Sequence, residues 1–232
     1  MKISMYWISR ERSCELIISI LSHITNATDN TNIEYIVAID NDDIQTIQGL
    51  NESSPILQSL YGVKLKILKT DRFGYHSIYK YHNLVAENFT GECMCTVNDD
   101  MFCLTQGWDD EIRKCILPHQ NEPLLVYKKG KNEKHKQWPT AHGINRKWYN
   151  IASNNQENYA FMHPGMDVWL QRFAKEFKLK IVNPEYEIIH LQKSDLRSSS
   201  KRNETQQLEY EKYSQHHMEL VKENFKNWKN EM

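Results

Sequence analysis

The segment Cys93-Met94-Cys95-Thr96-Val97-Asn98-Asp99-Asp100-Met101-Phe102 decides how this chain is read. Its thiol-rich and β-branched half suits a strand buried on both faces, and it stops on side-chain oxygens that tolerate turn geometry. In an open α/β sheet, ligands gather beyond the carboxyl ends of the strands. Asn98, Asp99 and Asp100 are therefore where a hard divalent cation and a phosphate-bearing ligand would sit. A plain surface turn is the competing reading of the same residues.

Upstream of this segment, strand and helix signals alternate. Ile3, Met5 and Trp7 share one face of a first strand, and Ile17, Ile20, Leu21 and Ile24 line one side of a following helix. Ile33 to Ile39 forms a second strand ending at Asp40-Asn41-Asp42-Asp43. Val63 to Leu68 forms a third, whose alternating lysines place it near an edge. After Gly74 comes a helix with Ile78, Tyr81, His82, Val85 and Phe89 on its apolar side, leading into Cys93. Four strands joined by helical crossovers predict a largely parallel sheet.

Downstream the pattern is less regular. Leu124 to Tyr127 and Thr140 to Ile144 read as strands around a basic loop, Lys128 to Lys136. Helices are expected at Arg146 to Ala152 and around Asp167 to Phe177. Short strands at Lys180 to Val182 and Glu187 to Ile189 then lead into His190. A polar stretch from Gln192 to Thr205 precedes an amphipathic helix outlined by Leu208, Tyr213, Leu220, Val221, Phe225 and Trp228.

A chain of 232 residues with 40% hydrophobic and 11% aromatic content can bury one large core. The formal charge of -1 argues against broad electrostatic binding to nucleic acid, although Lys193 to Arg202 and the Lys128 to Lys136 loop are local basic patches. No secretory h-region or membrane-spanning run is present, so a soluble, cytoplasmic protein is expected, or one of the host cytoplasm if the source is viral. Cys14, Cys93, Cys95, Cys103 and Cys115 lack paired CxxC spacing and read as reduced core thiols, with Cys93 and Cys95 on one strand face.

Asp99 and Asp100 offer the oxygen donors that manganese or magnesium prefers, one directly and the other through water or a ribose hydroxyl. His190 completes a mixed oxygen and imidazole site if the fold carries its strand end beside Asp100; otherwise it is a packed core residue. Asp42 and Asp43 read as solvated turn residues.

The order of these features resembles the nucleotide-sugar-dependent glycosyltransferases of GT-A fold, family 2-like members in particular, over most of residues 1 to 195. The pieces are Ser9-Arg10-Glu11-Arg12 after the first strand, Asp40 after the second, and Phe73-Gly74 before the helix containing Asn83. Then follow the DxD-like Asn98-Asp99-Asp100, Gly107-Trp108-Asp109, Asp167-Val168-Trp169 opening a helix, and Ile188-Ile189-His190 closing the sheet.

The resemblance implies an α/β, Rossmann-type three-layer sandwich with a central, mostly parallel mixed sheet. Residues 1–195 would form the transferase domain, and 196–232 a flexible segment and helix packed on it. It implies sugar transfer from a nucleoside diphosphate, with UDP the expected carrier, to an acceptor hydroxyl on a glycan, lipid-linked sugar, protein or modified nucleobase. Asp40, Ser9 and Arg10 would hold the nucleoside, Asp99 would be an auxiliary donor contact, and Asp100 with His190 would hold Mn2+ or Mg2+. Asp167 matches the acceptor-activating carboxylate, although Met166 stands where the motif has an acid, and a plain helix cap is the alternative. Arg72 would reach the diphosphate, and Trp108 and Asp109 would line the sugar or acceptor side, with Trp108 as a mere helix anchor the alternative. Lys193, Arg197, Lys201 and Arg202 would close over the diphosphate or form a solvated linker, and the Lys128, Lys129, Lys131, Lys134 and Lys136 loop would be merely solvated or, on the sharper reading, meet the acceptor. A sugar-phosphate nucleotidyltransferase and a noncatalytic carbohydrate- or nucleic-acid-binding module are the alternatives. The first lacks its glycine-rich phosphate loop here.

Overall fold

Alternating apolar strands and one-sided helices leave two sheet faces to be covered, and the chain covers both. The computed structural model describes residues 1–74, 77–131, 141–153, 166–191 and 218–231. Strands β1 (Ile3–Ile8), β2 (Ile33–Asp40), β3 (Leu65–Thr70) and β4 (Cys93–Thr96) run parallel. Beyond β4 the sheet continues through β7 (Ala141–Asn145) and β6 (Leu124–Lys128), each antiparallel to its neighbour, to β8 (Lys180–Val182), in the order β3-β2-β1-β4-β7-β6-β8. The lysine-bearing β3 is at the edge, as its alternation predicts, and begins two residues later than the apolar pattern suggests.

One face packs α1 (Ser13–Asn26), α2 (Ile44–Tyr61) and α4 (Trp108–Ile116) against Trp7, Val37 and Cys95. The other packs α3 (Ile78–Asn88), α5 (Arg146–Ser153), α6 (Met166–Glu176) and a C-terminal helix, α7 (218–230), against Tyr6, Ile36 and Met94. Phe225 of α7 is fully buried against Trp148 and Phe173. Gly143 on β7 is required by closeness: a Cβ there would stand 2.5 Å from the Met94 carbonyl and 2.6 Å from Cys95 Sγ.

Three expectations are corrected. Ile188–His190 does not close the main sheet. As β9 it pairs antiparallel with a strand the apolar pattern hides, β5 (Met101–Cys103), in a separate two-stranded sheet. Cys14 is exposed and Cys115 half-buried, so only Cys93, Cys95 and Cys103 are core thiols. Asp43 is a buried helix cap, its carboxylate accepting the Thr46 N–H at the start of α2. Thr140, Lys134, Lys136, Lys193, Arg197, Lys201, Arg202, Ser198 to Ser200, Leu208 and Tyr213 lie outside the described residues. No helix among the described residues is long and apolar enough to cross a membrane.

Candidate active site

The loop after β1 runs between the ends of its two neighbours, β2 and β4, and sends a side chain to each. Ser9 Oγ donates to Asp99 Oδ2 at 2.7 Å. Arg10 Nη1 donates to Asp40 Oδ2 and to Asp42 Oδ1, both at 2.6 Å, at the end of β2. Arg12 Nη1 donates to Asp99 Oδ1 at 3.1 Å and lies 3.5 Å from Asp100 Oδ2, at the end of β4. Glu11, between the two arginines, adopts the left-handed conformation with φ 57°. Its N–H donates to Asp43 Oδ2 at 2.7 Å, which fixes the turn that splays Arg10 and Arg12 apart.

Asp40 is buried, and its charge is compensated from both sides. Arg10 takes one oxygen, and the Tyr81 hydroxyl donates to the other while accepting the Phe73 N–H at 3.0 Å. Burial and the Asp40 hydrogen bond push the Tyr81 hydroxyl up to about 12. The bond to Asp42 raises the already high pKa of Arg10, and the same bond lowers that of Asp42.

Asp99 and Asp100 differ in what is left for a ligand. Asp99 is buried with both oxygens engaged by Ser9 and Arg12; burial raises its pKa, against the pull of those two partners. Asp100 Oδ1 is buried and accepts no hydrogen bond, although His190 Nε2 stands 3.1 Å away. The small sheet makes that approach. Met101 pairs with His190, and the Leu191 N–H donates to the Asp100 carbonyl at 2.9 Å. A cavity of about 240 Å³ opens beside the pair, lined by Arg12, Cys14, Glu15, Ile18, Asp100, Phe102 and Leu191.

An orphaned carboxylate oxygen facing an imidazole nitrogen fits a divalent cation of manganese type. Among the described residues no group of three His, Cys, Asp or Glu side chains could hold a metal, so this pair supplies two ligands at most. Phosphate oxygens and water would have to complete the shell, as is usual for such ions.

The fold thus brings Ser9, Arg10, Asp40, Asp99, Asp100 and His190 to one end of the sheet. It takes two expected residues away. Trp108 is fully buried with its indole N–H on the His23 carbonyl at 2.8 Å, so it anchors α4 rather than lining a sugar pocket. Asp109 is fully buried too, and accepts from the Thr28 N–H at 2.8 Å, the Asp29 N–H at 3.1 Å and Arg113. Arg72 is exposed and its charge helps lower the pKa of Asp42, which puts it near the Asp40 end rather than at Asp100. Asp167 falls in the first turn of α6; its side chain lies outside the described residues. Arg12 and Tyr81 have no partner legible in the sequence alone. The Arg10–Arg12 spacing and a tyrosine on the inward face of α3 were the signals available.

No family model matches the chain, and no curated protein matches it. Solved structures do. A mannosyltransferase from Pyrobaculum calidifontis, PcManGT, in complex with GDP-Man and Mn2+, superposes with TM-score 0.62 at 10% identity over 84% of this chain. A fragment of S. aureus TarS in complex with UDP-GlcNAc superposes with TM-score 0.55 at 19% identity over 79%. The chain spans 58% and 56% of the lengths of those two structures. Together with the sheet order, these superpositions establish that the chain carries the GT-A fold of these glycosyltransferases.

Proposed function

We propose that the protein transfers a sugar from a nucleoside-diphosphate sugar, UDP-linked by preference, to an acceptor hydroxyl, with a divalent cation held by Asp100 and His190. The observation that carries this reading is the buried, unbonded Asp100 Oδ1 facing His190 Nε2 at the strand end where GT-A folds bind donors. Residues 1–195 are the transferring domain, and the protein works in the cytoplasm.

Each residue has a role that follows from its surroundings. The Asp40, Arg10 and Tyr81 cluster offers fixed hydrogen-bonding groups to the nucleoside, with Ser9 beside it. Arg12 holds the acidic step in place and adds positive charge next to the departing diphosphate. When bound, a divalent cation supplies Lewis-acid stabilisation of the leaving group, worth several kcal/mol at a site of this kind. Asp167, in the first turn of α6, accepts the proton of the attacking hydroxyl in an inverting reaction. Asp167→Asn then leaves donor affinity intact and abolishes transfer.

A thermal-shift panel of UDP- and GDP-sugars with and without MnCl2 tests the reading. A donor at a hundred times its Kd adds about 2.7 kcal/mol, or roughly 5–10 °C in Tm for a chain of this size. The expected result is such a shift with at least one donor, only when manganese is present. A flat panel contradicts it.

A further inference from the structure

Arg12 breaks a local rule. It is the residue before α1, the cap position, where Ser, Thr, Asp or Asn would accept a backbone N–H of the first turn. A guanidinium has no acceptor to offer there, and its side chain makes no cap bond. Its charge also stands at the positive end of a helix. Local rules are broken where function requires it, and this side chain reaches to the acidic step instead.

The two arginines of this loop hold their carboxylates differently. Arg10 gives Asp42 both arms of its fork, Nη1 at 2.6 Å and Nη2 at 3.2 Å, and Nη1 also meets Asp40 at 2.6 Å. Arg12 spreads one nitrogen over two carboxylates, 3.1 Å from Asp99 Oδ1 and 3.5 Å from Asp100 Oδ2. Charge-assisted bonds of this type close to about 2.7–2.9 Å, so the contact with Asp100 is a long one. The Arg12 side chain is 32% exposed and lines the same cavity as Asp100.

Asp100 therefore has two sides. Oδ2 faces Arg12, and Oδ1, which accepts no hydrogen bond, faces His190 Nε2. A divalent ion on Oδ1 would share one carboxylate with the guanidinium, and the two like charges would repel each other. Among the described residues the protein offers that ion two ligands at most, so an ion arriving alone gains little against the repulsion. A diphosphate reverses the balance. Its oxygens complete the shell of the ion, its negative charge lies between the two cations, and a guanidinium fork matches phosphate oxygens.

We propose that Arg12 is a positioning residue that couples the cation to the nucleoside diphosphate: it opposes a cation arriving alone and pairs with the diphosphate when the two arrive together. The inference rests on the glycosyl-transfer reading and goes beyond it, since a residue that only braced Asp99 and Asp100 would favour the cation with or without a nucleotide.

Titration of MnCl2, followed by loss of the free-ion electron paramagnetic resonance signal, gives stoichiometry and Kd with and without saturating UDP or GDP. Calorimetry gives Kd for UDP and GDP at saturating MnCl2. Wild type should bind Mn2+ at least about tenfold tighter with the nucleotide it accepts than without it. Arg12→Gln and Arg12→Met should move the two affinities in opposite directions. Mn2+ alone should bind roughly tenfold tighter, and the nucleoside diphosphate at saturating MnCl2 roughly tenfold weaker, each on the scale of one charge-assisted bond. Arg12→Lys, which keeps the charge and loses the fork, should leave the affinity for Mn2+ alone near that of wild type. Stoichiometry separates a reduced folded fraction from a changed Kd, and the wild-type coupling needs no variant. Weakening of both affinities together, an unchanged affinity for Mn2+ alone in the uncharged variants, or no coupling in wild type overturns the assignment. Failure of wild type to bind either UDP or GDP with MnCl2 overturns the glycosyl-transfer reading, and this inference with it.

Discussion

Two acidic pairs stand close together in the chain, Asp99-Asp100 after β4 and Asp109-Asp110 at the start of α4, and they have opposite fates. Asp109 is wholly buried, and donors from distant turns and from Arg113 satisfy its oxygens. Asp100 keeps one buried oxygen that accepts no hydrogen bond, with His190 Nε2 3.1 Å away. The first carboxylate is a joint that ties α4 to the Thr28-Asp29 turn; the second is held open by its neighbours. What separates a structural acid from a site acid here is the supply of donors brought by the rest of the fold.

The largest effect should come from breaking the joint. Asp109→Ala removes the partner of a mostly buried guanidinium and two turn N–H groups, and should cost about 3–5 kcal/mol in urea unfolding, with activity per folded molecule retained. If instead stability holds and activity vanishes, the two pairs have been assigned the wrong way round.

Acid should load both regions. His23, whose carbonyl receives the Trp108 indole, and His142, beside the acidic step, each have their pKa lowered from 6.5 to about 4 by burial. The unfolded chain therefore binds more protons than the folded one between those values. The stabilisation is complete above pH 6.5 and drains away as pH falls toward 4, by on the order of 3 kcal/mol per histidine. Unfolding free energies measured between pH 7 and 4 should show this slope, and His142→Phe should remove its share alone.

Opening the second pair further should spare the fold. Asp100→Asn is expected to lower transfer roughly 100-fold with a stability change of about 1 kcal/mol or less, read by turnover and by urea unfolding side by side. His190→Gln is milder, weakening manganese affinity about tenfold in a titration at fixed nucleoside diphosphate.

Much of this contrast was legible in the sequence, and the rest was hidden for physical reasons. Period-2 and helical patterns place Asp40 and Asn98-Asp99-Asp100 at strand ends because each strand is long enough to show its alternation. Met101–Cys103 is too short to show one, so the ribbon that carries His190 to Asp100 was invisible, and His190 was assigned to the main sheet instead. For Trp108 the structure selects the helix anchor of its two readings, and Asp109 departs from its expected place, because the groups that hold them, the Thr28 and Asp29 N–H groups and the His23 carbonyl, belong to the backbone and leave no mark in residue identity. Tyr81 was recognised as inward-facing, but its reach to Asp40 depends on how α3 crosses β2.

The central claim is that the open carboxylate serves sugar transfer. Release of nucleoside diphosphate from UDP-GlcNAc, GDP-mannose and related donors, with MnCl2 present, tests it most directly on wild type and Asp100→Asn together. The expected result is manganese-dependent release from at least one donor by wild type, and its near loss in a variant that melts at the same temperature. Release that survives Asp100→Asn unchanged, or no release from any donor, would contradict the account.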